Sequence, residues 1–213
     1  MTVCEAGHVN LTIDHLIVCV GDLDEAANNF EDRLGLSSVE GGRHPGHGTA
    51  NRIIPLGGCY IELLAVVDPS EAKDSPFGNW ATGRAKTAGG VDAVCIRTDD
   101  LDAVCTRLGL EPTAMSRRRP DGTELKWSTA GVDLAIAEYL PFFIEWHVPE
   151  DQMPGRTHVI HDREVNGIEE IVLSGDTARL TKWTDEVPAF RIVEGPSSIV
   201  SVSLATPEER LDL

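Results

Sequence analysis

The tetrapeptide Arg-Leu-Gly-Leu occurs twice in the chain, at residues 33–36 and 107–110, and each copy closes a similar segment. Both segments open with an apolar run, continue through Asp-Leu-Asp and then take on a helical pattern. An internal duplication constrains the architecture strongly, because each copy must form the same supersecondary unit. We therefore expect two copies of one strand–helix module.

Apolar runs and turn residues extend each copy to the order β-α-β-β-β, over residues 11–67 and 90–147. In the first copy Asp22 suits the N-cap of the helix and Gly35 suits its C-terminal end. The helix of the second copy, predicted over residues 101–108, is shorter by about one turn. The strands of the two copies can therefore keep the same relative placement.

The predicted fold class is α+β, with repeated β-α-β-β-β modules pairing into a cupped mixed sheet. The two modules form one unit over residues 1–147, and residues 148–213 form a partial third module packed on the same domain. This third copy is predicted to contain a helix over residues 176–184 and a closing hairpin around Gly195-Pro196. The first module could pair with the second, with the C-terminal segment, or with a second chain in a homodimer.

Several connecting segments are predicted to lack helices. A short strand over residues 36–40 leads into a glycine-rich loop over residues 41–48. Residues 68–89 are rich in Pro, Gly, Ser and Lys and indicate a linker or irregular excursion. Residues 133–139 are predicted to be a strand, either continuous with the strand over residues 141–147 or separated from it by Pro141.

The composition excludes several classes of partner. The net charge of −17 disfavours nucleic acid, because phosphate binding needs clustered Lys and Arg. The longest apolar runs fall short of the roughly 20 residues that span a bilayer, and the N-terminus lacks a signal pattern, so a cytoplasmic location is expected. The five cysteines lack paired spacing, which indicates reduced thiols.

Three side chains in apolar strands are candidates for chemistry. His15 lies in the first strand, where a satisfied core histidine is the commoner outcome. Glu62 lies within Tyr-Ile-Glu-Leu-Leu, and a buried carboxylate must be paired, hydrogen-bonded or metal-bound. Glu145 occupies a similar apolar setting in the second module. Superposing the modules places Glu62 opposite Glu145, so a histidine and two carboxylates are expected to converge.

The residues Gly-Gly-Arg-His-Pro-Gly-His-Gly-Thr-Ala-Asn at 41–51, followed by Tyr-Ile-Glu-Leu at 60–63, resemble a glyoxalase-like domain family. This family belongs to the vicinal oxygen chelate superfamily, with glyoxalase I, extradiol dioxygenases and bleomycin-resistance proteins. The resemblance covers roughly residues 11–146. It implies paired β-α-β-β-β modules that form a cup around a metal ion or a small ligand.

The resemblance also implies a ligand set. In metal-binding members the ligands come from the first and last strands of each module, and the matching positions here are His15, Glu62 and Glu145. Ala93 stands where a fourth ligand would be expected, so the chain departs from the glyoxalase I pattern. One histidine and two carboxylates suit a divalent ion such as Zn²⁺, Ni²⁺, Mn²⁺, Fe²⁺ or Mg²⁺. If the partner module were the C-terminal one, Glu170 would be the opening-strand equivalent there, and Glu145 would lose its expected role.

The loop after the second strand is either an exposed turn or a lid that contributes cations to an anionic or carbonyl substrate. In the second case His44 or His47 could replace the missing ligand. Trp127 could line an apolar pocket, and the run Arg117–Arg119 is expected to be a solvated strand end. The predicted substrate-binding residues are Arg43, His44, His47, Thr49, Asn51 and Trp127.

Three functions fit these features. The favoured one is a metal-dependent lyase or isomerase that acts on a small carbonyl or vicinal-oxygen substrate through an enediolate, with Glu62 or Glu145 as the base. An Fe²⁺-dependent dioxygenase ranks lower, because two histidines and one carboxylate are usual there. A metal-free protein that binds a small hydrophobic or cationic molecule is the third.

Overall fold

The computed structural model describes residues 9–87, 90–119, 121–185, 187–207 and 210–213. The N-terminal residues used above for the expected location lie outside these ranges. The strands are β1 Leu11–Cys19, β2 Val39–His44, β3 Thr49–Pro55, β4 Tyr60–Val66, β5 Ala93–Thr98, β6 Thr113–Arg118, β7 Glu124–Ala130, β8 Phe142–Trp146, β9 Ile168–Gly175, β10 Phe190–Glu194, β11 Ser198–Leu204 and β12 Leu211–Asp212. The helices are α1 Leu23–Leu34, α2 Pro69–Ala72, α3 Pro76–Arg84, α4 Leu101–Leu108, α5 Val132–Glu138 and α6 Thr177–Thr184.

The two modules pair within one chain. Eight strands form one sheet in the order β2-β3-β4-β1-β5-β8-β7-β6, and β1 and β5 join antiparallel at its centre. β1 pairs parallel with β4, and β5 pairs parallel with β8, so each half repeats the same arrangement. This mixed sheet, with the helices packed against it, confirms the predicted α+β class and the vicinal oxygen chelate fold.

The helix ends follow from local chemistry. Asp22 caps α1 by accepting hydrogen bonds from the backbone N–H groups of Asp24 and Glu25. Gly35 and Gly109 end α1 and α4 in the left-handed conformation that glycine adopts at little cost. The duplicated Arg-Leu-Gly-Leu is thus the C-terminal end of a helix followed by the start of the next connection.

Alternating residues of the central strands face opposite sides of the eight-stranded sheet. On the outer side, Leu16, Ile61 and Phe143 belong to a core that also contains α1, α4 and the C-terminal segment. On the inner side, Ile17 and Phe142 belong to a second apolar cluster. The site therefore forms on the face that the main core leaves free.

The C-terminal segment forms a sheet of its own in the order β10-β9-β11-β12. β9 lies between β10 and β11, pairing parallel with the first and antiparallel with the second. The predicted hairpin between β10 and β11 is therefore wrong, because the parallel pairing to β9 separates them. Ring contact between Phe143 and Trp183, at 6.1 Å between centroids, joins this segment to the eight-stranded sheet.

Two connecting segments contain helices that the sequence analysis missed. The excursion over residues 68–89 contains α2 and α3, with Asp68 and Ser75 as N-caps and a proline at the start of each helix. Residues predicted as a strand over 133–139 form α5, bounded by Gly131 and Tyr139 in the left-handed conformation. Alternating Val, Leu and Ile suggested a strand there, but the intervening alanines also favour a helix.

The glycine-rich stretch also differs from expectation. β2 begins at Val39 and continues to His44, so the first half of the predicted loop is strand and the turn is confined to residues 45–48. The side chain of His44 is thereby fixed on a sheet instead of a mobile loop. Within the described residues, no helix is long and apolar enough to cross a membrane.

Candidate functional site

The inner face of the eight-stranded sheet encloses a cavity of about 660 Å³. Apolar side chains make up most of its walls, and Trp127, Phe142 and Ile144 come from the second module. The polar residues His15, His44, Asn51 and Glu62 line the opposite part and come from the first module, whereas Arg117 comes from the second.

A bulge in β1 orients His15. The pairing of β1 with β5 shifts between Ile13 and His15, which leaves Asp14 out of the regular ladder. The Oδ1 atom of Asp14 lies 2.7 Å from Nδ1 of His15, and its Oδ2 accepts a 2.9 Å hydrogen bond from Nε1 of Trp146. A carboxylate on Nδ1 fixes the ring and leaves Nε2 free to face the cavity.

Glu62 lies at the centre of the polar cluster and is only 6% exposed. Its Oε2 atom is 3.5 Å from Nε2 of His15, and its Oε1 is 3.7 Å from Nε2 of His44. The side-chain amide of Asn51 donates a 2.6 Å hydrogen bond to Oε1. The amide of Asn51 thus provides a hydrogen bond to the buried carboxylate, and the two imidazoles lie close enough to add a polar environment.

His44 is neutral at physiological pH. Burial is the largest cause that lowers its pKa to about 4, and the nearby charge of Arg117 lowers it further, although Glu62 acts in the opposite direction. Its Nδ1 atom lies 3.1 Å from Oγ1 of Thr49. Like His15, His44 therefore has one nitrogen held by an oxygen and the other directed at Glu62.

The glycine pair at the start of the motif closes the cup. A Cβ on Gly41 would overlap the Asn51 side chain, and a Cβ on Gly42 would lie 2.8 Å from the backbone oxygen of Arg118. The lack of a side chain on Gly41 thus leaves room for Asn51 of β3, and the lack of one on Gly42 allows β2 to approach β6 closely. Across this seam the guanidinium of Arg117 donates a hydrogen bond to the carbonyl of Gly41.

Arg117 is 5% exposed and lines the cavity, so the expectation of a solvated strand end is wrong at this position. Burial is the main cause that lowers the pKa of Arg117, while the nearby Tyr60 and Glu62 favour its charged form. An arginine keeps its charge in proteins even so. Arg118, the next residue, is exposed.

The α2–α3 excursion forms one wall of the cavity. Nδ1 of His47 lies 2.7 Å from Oγ of Ser75, and the ring of Phe77 lies against His47 at 5.5 Å between centroids. A Cβ on Gly48 or Gly78 would overlap the backbone of the facing segment. Gly48 of the turn and Gly78 of α3 thus allow this wall to pack closely against the turn.

The predicted substrate-binding residues separate into three groups. His44, His47, Asn51 and Trp127 line the cavity, which agrees with their expected place, and their binding role stays a prediction. Thr49 is fully buried behind His44 and supports it.

Arg43 points away from the cavity, and its side chain is 61% exposed beside Asp68 and Glu71. Side chains alternate along β2, so His44 and Arg43 must lie on opposite faces. The expectation that Arg43 would supply the cation at the mouth of the cup is corrected accordingly.

Glu145 does not join His15 and Glu62. On β8 the inner face carries Phe142 and Ile144, whereas Oε2 of Glu145 accepts a 3.1 Å hydrogen bond from the backbone N–H of Leu101, at the start of α4 on the outer side. A carboxylate at a helix N-terminus satisfies an otherwise free donor. The three-residue set predicted from sequence is therefore corrected to exclude Glu145.

The register explains this error. Ile17 pairs with Glu62 in the first module, and its counterpart Cys95 pairs with Phe142 in the second. Phe142 therefore occupies the position where a second glutamate was expected. The superposition of the two modules from sequence was displaced by an odd number of residues, and such a displacement places a side chain on the other face of the sheet. With Ala93 on β5, the second module contributes no ligand at either expected position.

The first module supplies the candidate ligands for a divalent ion. Donor atoms that bind one ion at about 2.1 Å lie at most about 4.2 Å apart, and Glu62 meets this limit with His15 through one oxygen and with His44 through the other. Among the described residues, only Asp14, His15 and Cys95 have ligand atoms that all lie within 4.8 Å of one another, so His15, His44 and Glu62 would have to draw together around an ion. Two histidines and one carboxylate are a common set for divalent transition metals. His44 is therefore the candidate for the missing ligand, one of the alternatives from sequence, and its role as a ligand stays a prediction.

A second group of potential ligand atoms lies behind His15, where Asp14, His15 and Cys95 approach within 4.8 Å of one another. Burial, with the nearby Asp14 and Glu62 carboxylates, raises the pKa of Cys95 well above its usual range. A protonated thiol is a poor metal ligand. This group is better explained as the support that orients His15.

Sequence reasoning missed Asp14 and Arg117. Asp14 precedes the histidine and would point to the other face in a regular strand, so only the bulge brings the two side chains together. Arg117 shares its face of β6 with Thr113 and Met115, which also line the cavity. That period of two was the signal available in the sequence.

The model of the family described as "Glyoxalase-like domain" matches residues 13–187. The chain belongs to this glyoxalase-like family. The match extends beyond both modules into the C-terminal segment, and the family is part of the vicinal oxygen chelate superfamily.

Among curated relatives, this member of the glyoxalase-like family is 30% identical to human mitochondrial methylmalonyl-CoA epimerase over 91 residues, which are 43% of this chain and 48% of the relative. The mouse enzyme is 32% identical over the same shares. The chain thus spans about half the length of the curated relatives it matches.

Among solved structures, a hypothetical protein from Staphylococcus aureus is 21% identical, with a TM-score of 0.71 and coverage of 94% of this chain and 92% of that one. This likeness shows that the whole fold, including the C-terminal sheet, occurs elsewhere.

Proposed function

We propose that the protein is a metal-dependent isomerase or lyase that moves a proton at a carbon next to a carbonyl group. One observation carries the proposal: Glu62 faces the cavity between two imidazole Nε2 atoms, at 3.5 and 3.7 Å. The two Nδ1 atoms are occupied by Asp14 and Thr49, so both rings are oriented in advance. Such preorganisation is what a catalytic or metal site requires.

His15, His44 and Glu62 would hold the ion. When bound, a divalent ion would polarise neighbouring oxygens of the substrate and stabilise negative charge on them. Its identity among Zn²⁺, Ni²⁺, Mn²⁺, Fe²⁺ and Mg²⁺ is set by availability as well as by these ligands.

Glu62 is the proton carrier in this proposal. Its carboxylate, when not held by the ion, takes the proton from the carbon next to the carbonyl. The electron pair moves onto the carbonyl oxygen, giving an enolate, or an enediolate where the substrate carries a second neighbouring oxygen, and Glu62 returns the proton to a neighbouring atom. Asn51 holds Oε1 of Glu62 in place through its 2.6 Å hydrogen bond. The apolar walls from the second module exclude water from the reacting atoms.

The comparison with methylmalonyl-CoA epimerases supports proton transfer, since an epimerase inverts a carbon centre by removing and returning a substituent. The relation covers 91 residues of this chain, so the substrate of those enzymes is not carried over with it.

A metal-free binding protein is the second candidate. The positions where the second module would supply ligands carry Ala93 and Phe142, and both side chains belong to the apolar cluster beneath the cavity. An apolar pocket with a few polar groups is typical of small-molecule binding sites.

Solvent exchange tests the proposal. Small 2-oxo and 2-hydroxy acids, aldehydes and ketones would be incubated in D₂O with protein loaded in turn with each candidate metal, and proton NMR would follow exchange at the carbon next to the carbonyl. We expect exchange with at least one compound, slowed about 10²- to 10⁴-fold by Glu62→Gln.

Glu145→Gln is the matched control, because it removes the same charge from the outer face of the sheet. We expect it to exchange at the wild-type rate. Exchange that survives in Glu62→Gln, or none in the wild type with any metal and any compound, would reject the enzyme proposal and favour the binding protein.

A further inference from the structure

We propose that the cavity selects a compact substrate with an apolar body and one anionic group, that Arg117 binds this group, and that acyl-coenzyme A esters are excluded. The inference rests on the proposed function for the identity of the site and adds the class of substrate. The inference is based on Arg117, on the composition of the cavity walls and on the charge of the cavity rim.

Arg117 is the one lysine or arginine among the described residues that line the cavity. Its carbonyl partner, Gly41, fixes the guanidinium across the seam between β2 and β6. A planar guanidinium held in this way offers its remaining donors in a fixed plane, which suits a carboxylate. Burial at 5% exposure strengthens any such contact, because little water competes for it.

The charges inside the cavity leave room for one anion. Among the lining residues of the polar part, Glu62 contributes one negative charge and Arg117 balances it. A divalent ion held by His15, His44 and Glu62 would leave an excess of positive charge. A substrate carboxylate bound by Arg117 would reduce the excess, whereas a neutral substrate would leave the charges unbalanced.

The rest of the cavity favours an apolar body. Met115, Trp127 and Trp146 line it, and the two indole rings lie 5.3 Å apart between centroids. Aromatic and thioether side chains of this kind bury an apolar group without offering it a polar partner. The cavity volume of about 660 Å³ is ample for a molecule of ten to fifteen heavy atoms.

The rim disfavours the phosphates of coenzyme A. The lining residues Glu111 and Asp133 are both exposed and acidic, and the described lining adds no basic residue beside them. Phosphate groups are normally bound by Arg, Lys or free backbone N–H groups. Like charges placed opposite one another reduce affinity, and the phosphates of coenzyme A would lie at this acidic rim, whereas the proposed carboxylate would lie inside the cavity at Arg117.

Matched ligand pairs test the inference without requiring catalysis. Mandelate with mandelamide, and phenylacetate with phenylacetamide, differ in charge but hardly in shape. Calorimetric titration of the wild-type protein, with and without added Mn²⁺, should show each carboxylate binding at least about tenfold more tightly than its amide. Propionyl-coenzyme A should bind more weakly than mandelate.

Two variants assign the preference to its residue. Arg117→Met keeps the length of the side chain and should reduce the carboxylate preference to nearly none, while Arg118→Met removes the same charge from the exposed neighbour and should preserve it. Thermal unfolding checks that Arg117→Met is folded, and Arg117→Lys, which keeps the charge, should retain part of the preference.

Equal binding of acid and amide by the wild type, undetectable binding of both acids, or tighter binding of propionyl-coenzyme A would each overturn the inference. An unchanged preference in folded Arg117→Met would do so as well. These results are separate from the exchange experiment, because a carboxylate preference without any proton exchange would reject the proposed reaction and leave the ligand class standing.

Discussion

The two halves of the cup have the same topology and opposite chemistry. The first module supplies His15, His44 and Glu62, whereas the second supplies Phe142 at the position that corresponds to Glu62 and Ala93 at the position that corresponds to His15. Both halves fold because their outer faces carry the same kind of apolar residue. The inner faces are free of that constraint, so one repeat holds the candidate ligands His15, His44 and Glu62, and the other supplies the apolar walls together with Arg117.

Metal content gives the largest expected contrast between the halves. His15→Ala and His44→Ala should each weaken binding of Mn²⁺ or Zn²⁺ at least about 100-fold. This loss of affinity is larger than is typical when a residue that only supports a metal ligand is replaced. Phe142→Leu, at the counterpart of Glu62, should leave metal binding unchanged. Elemental analysis after dialysis against graded metal concentrations measures this. Equal losses in all three variants would show that the first and second modules do not differ in metal binding.

The dependence of stability on pH should also belong to the polar half. The pKa of His44 is about 4 in the folded chain against an ordinary 6.5, so the unfolded chain takes up a proton that the folded chain does not. The contribution of this group to the free energy of unfolding is therefore fully present above pH 6.5. It is lost as the pH drops toward 4, and the loss amounts to about 3 kcal/mol.

Urea unfolding of the metal-free protein between pH 4 and 7 measures this effect. The curve for His44→Gln, which cannot titrate at this position, should be flatter than the wild-type curve by that amount. Parallel curves would show that His44 is solvated and protonated in the folded state.

A smaller effect concerns the seam where the halves meet. Gly41→Ala should lower the free energy of unfolding by about 1–3 kcal/mol, because the new methyl group displaces Asn51. Gly21→Ala, at a glycine with open space around its Cβ position, should change it by less than about 0.5 kcal/mol. Denaturant titration separates the two, and a Gly41→Ala protein as stable as Gly21→Ala would show that Asn51 can move aside at no cost.

The sequence was most informative where a feature is local. Helix α4 has the predicted bounds, and the caps at Asp22 and Gly35 are as expected, because capping depends on a few neighbouring residues. The order of strands in both modules followed from the repeat. The helices α2, α3 and α5 were missed since short helices packed against a cavity need little helical periodicity of their own.

The site was harder to predict because it depends on register. His15 and Glu62 were found from their apolar surroundings, but Glu145 was placed on the wrong face by a superposition without strand pairing. Asp14 reaches His15 only through a bulge, and Arg117 is buried only because β6 curls against β2. The bulge depends on the pairing of β1 with β5 and the burial of Arg117 on the packing of β6 against β2. Both involve strands far apart in the sequence, so the period of two on β6 was the one local sign of either.

The strands that hold the site are also held from behind. Leu16, Ile61 and Phe143 alternate with the cavity-facing residues and pack in one core with Ile171 and Trp183 of the C-terminal segment. The C-terminal segment thus supports the eight-stranded sheet from its outer face. A shortened chain ending after the second module would lose the packing that keeps the side chains of His15 and His44 oriented toward the cavity. Any dissection into a minimal catalytic fragment has to keep this last sheet.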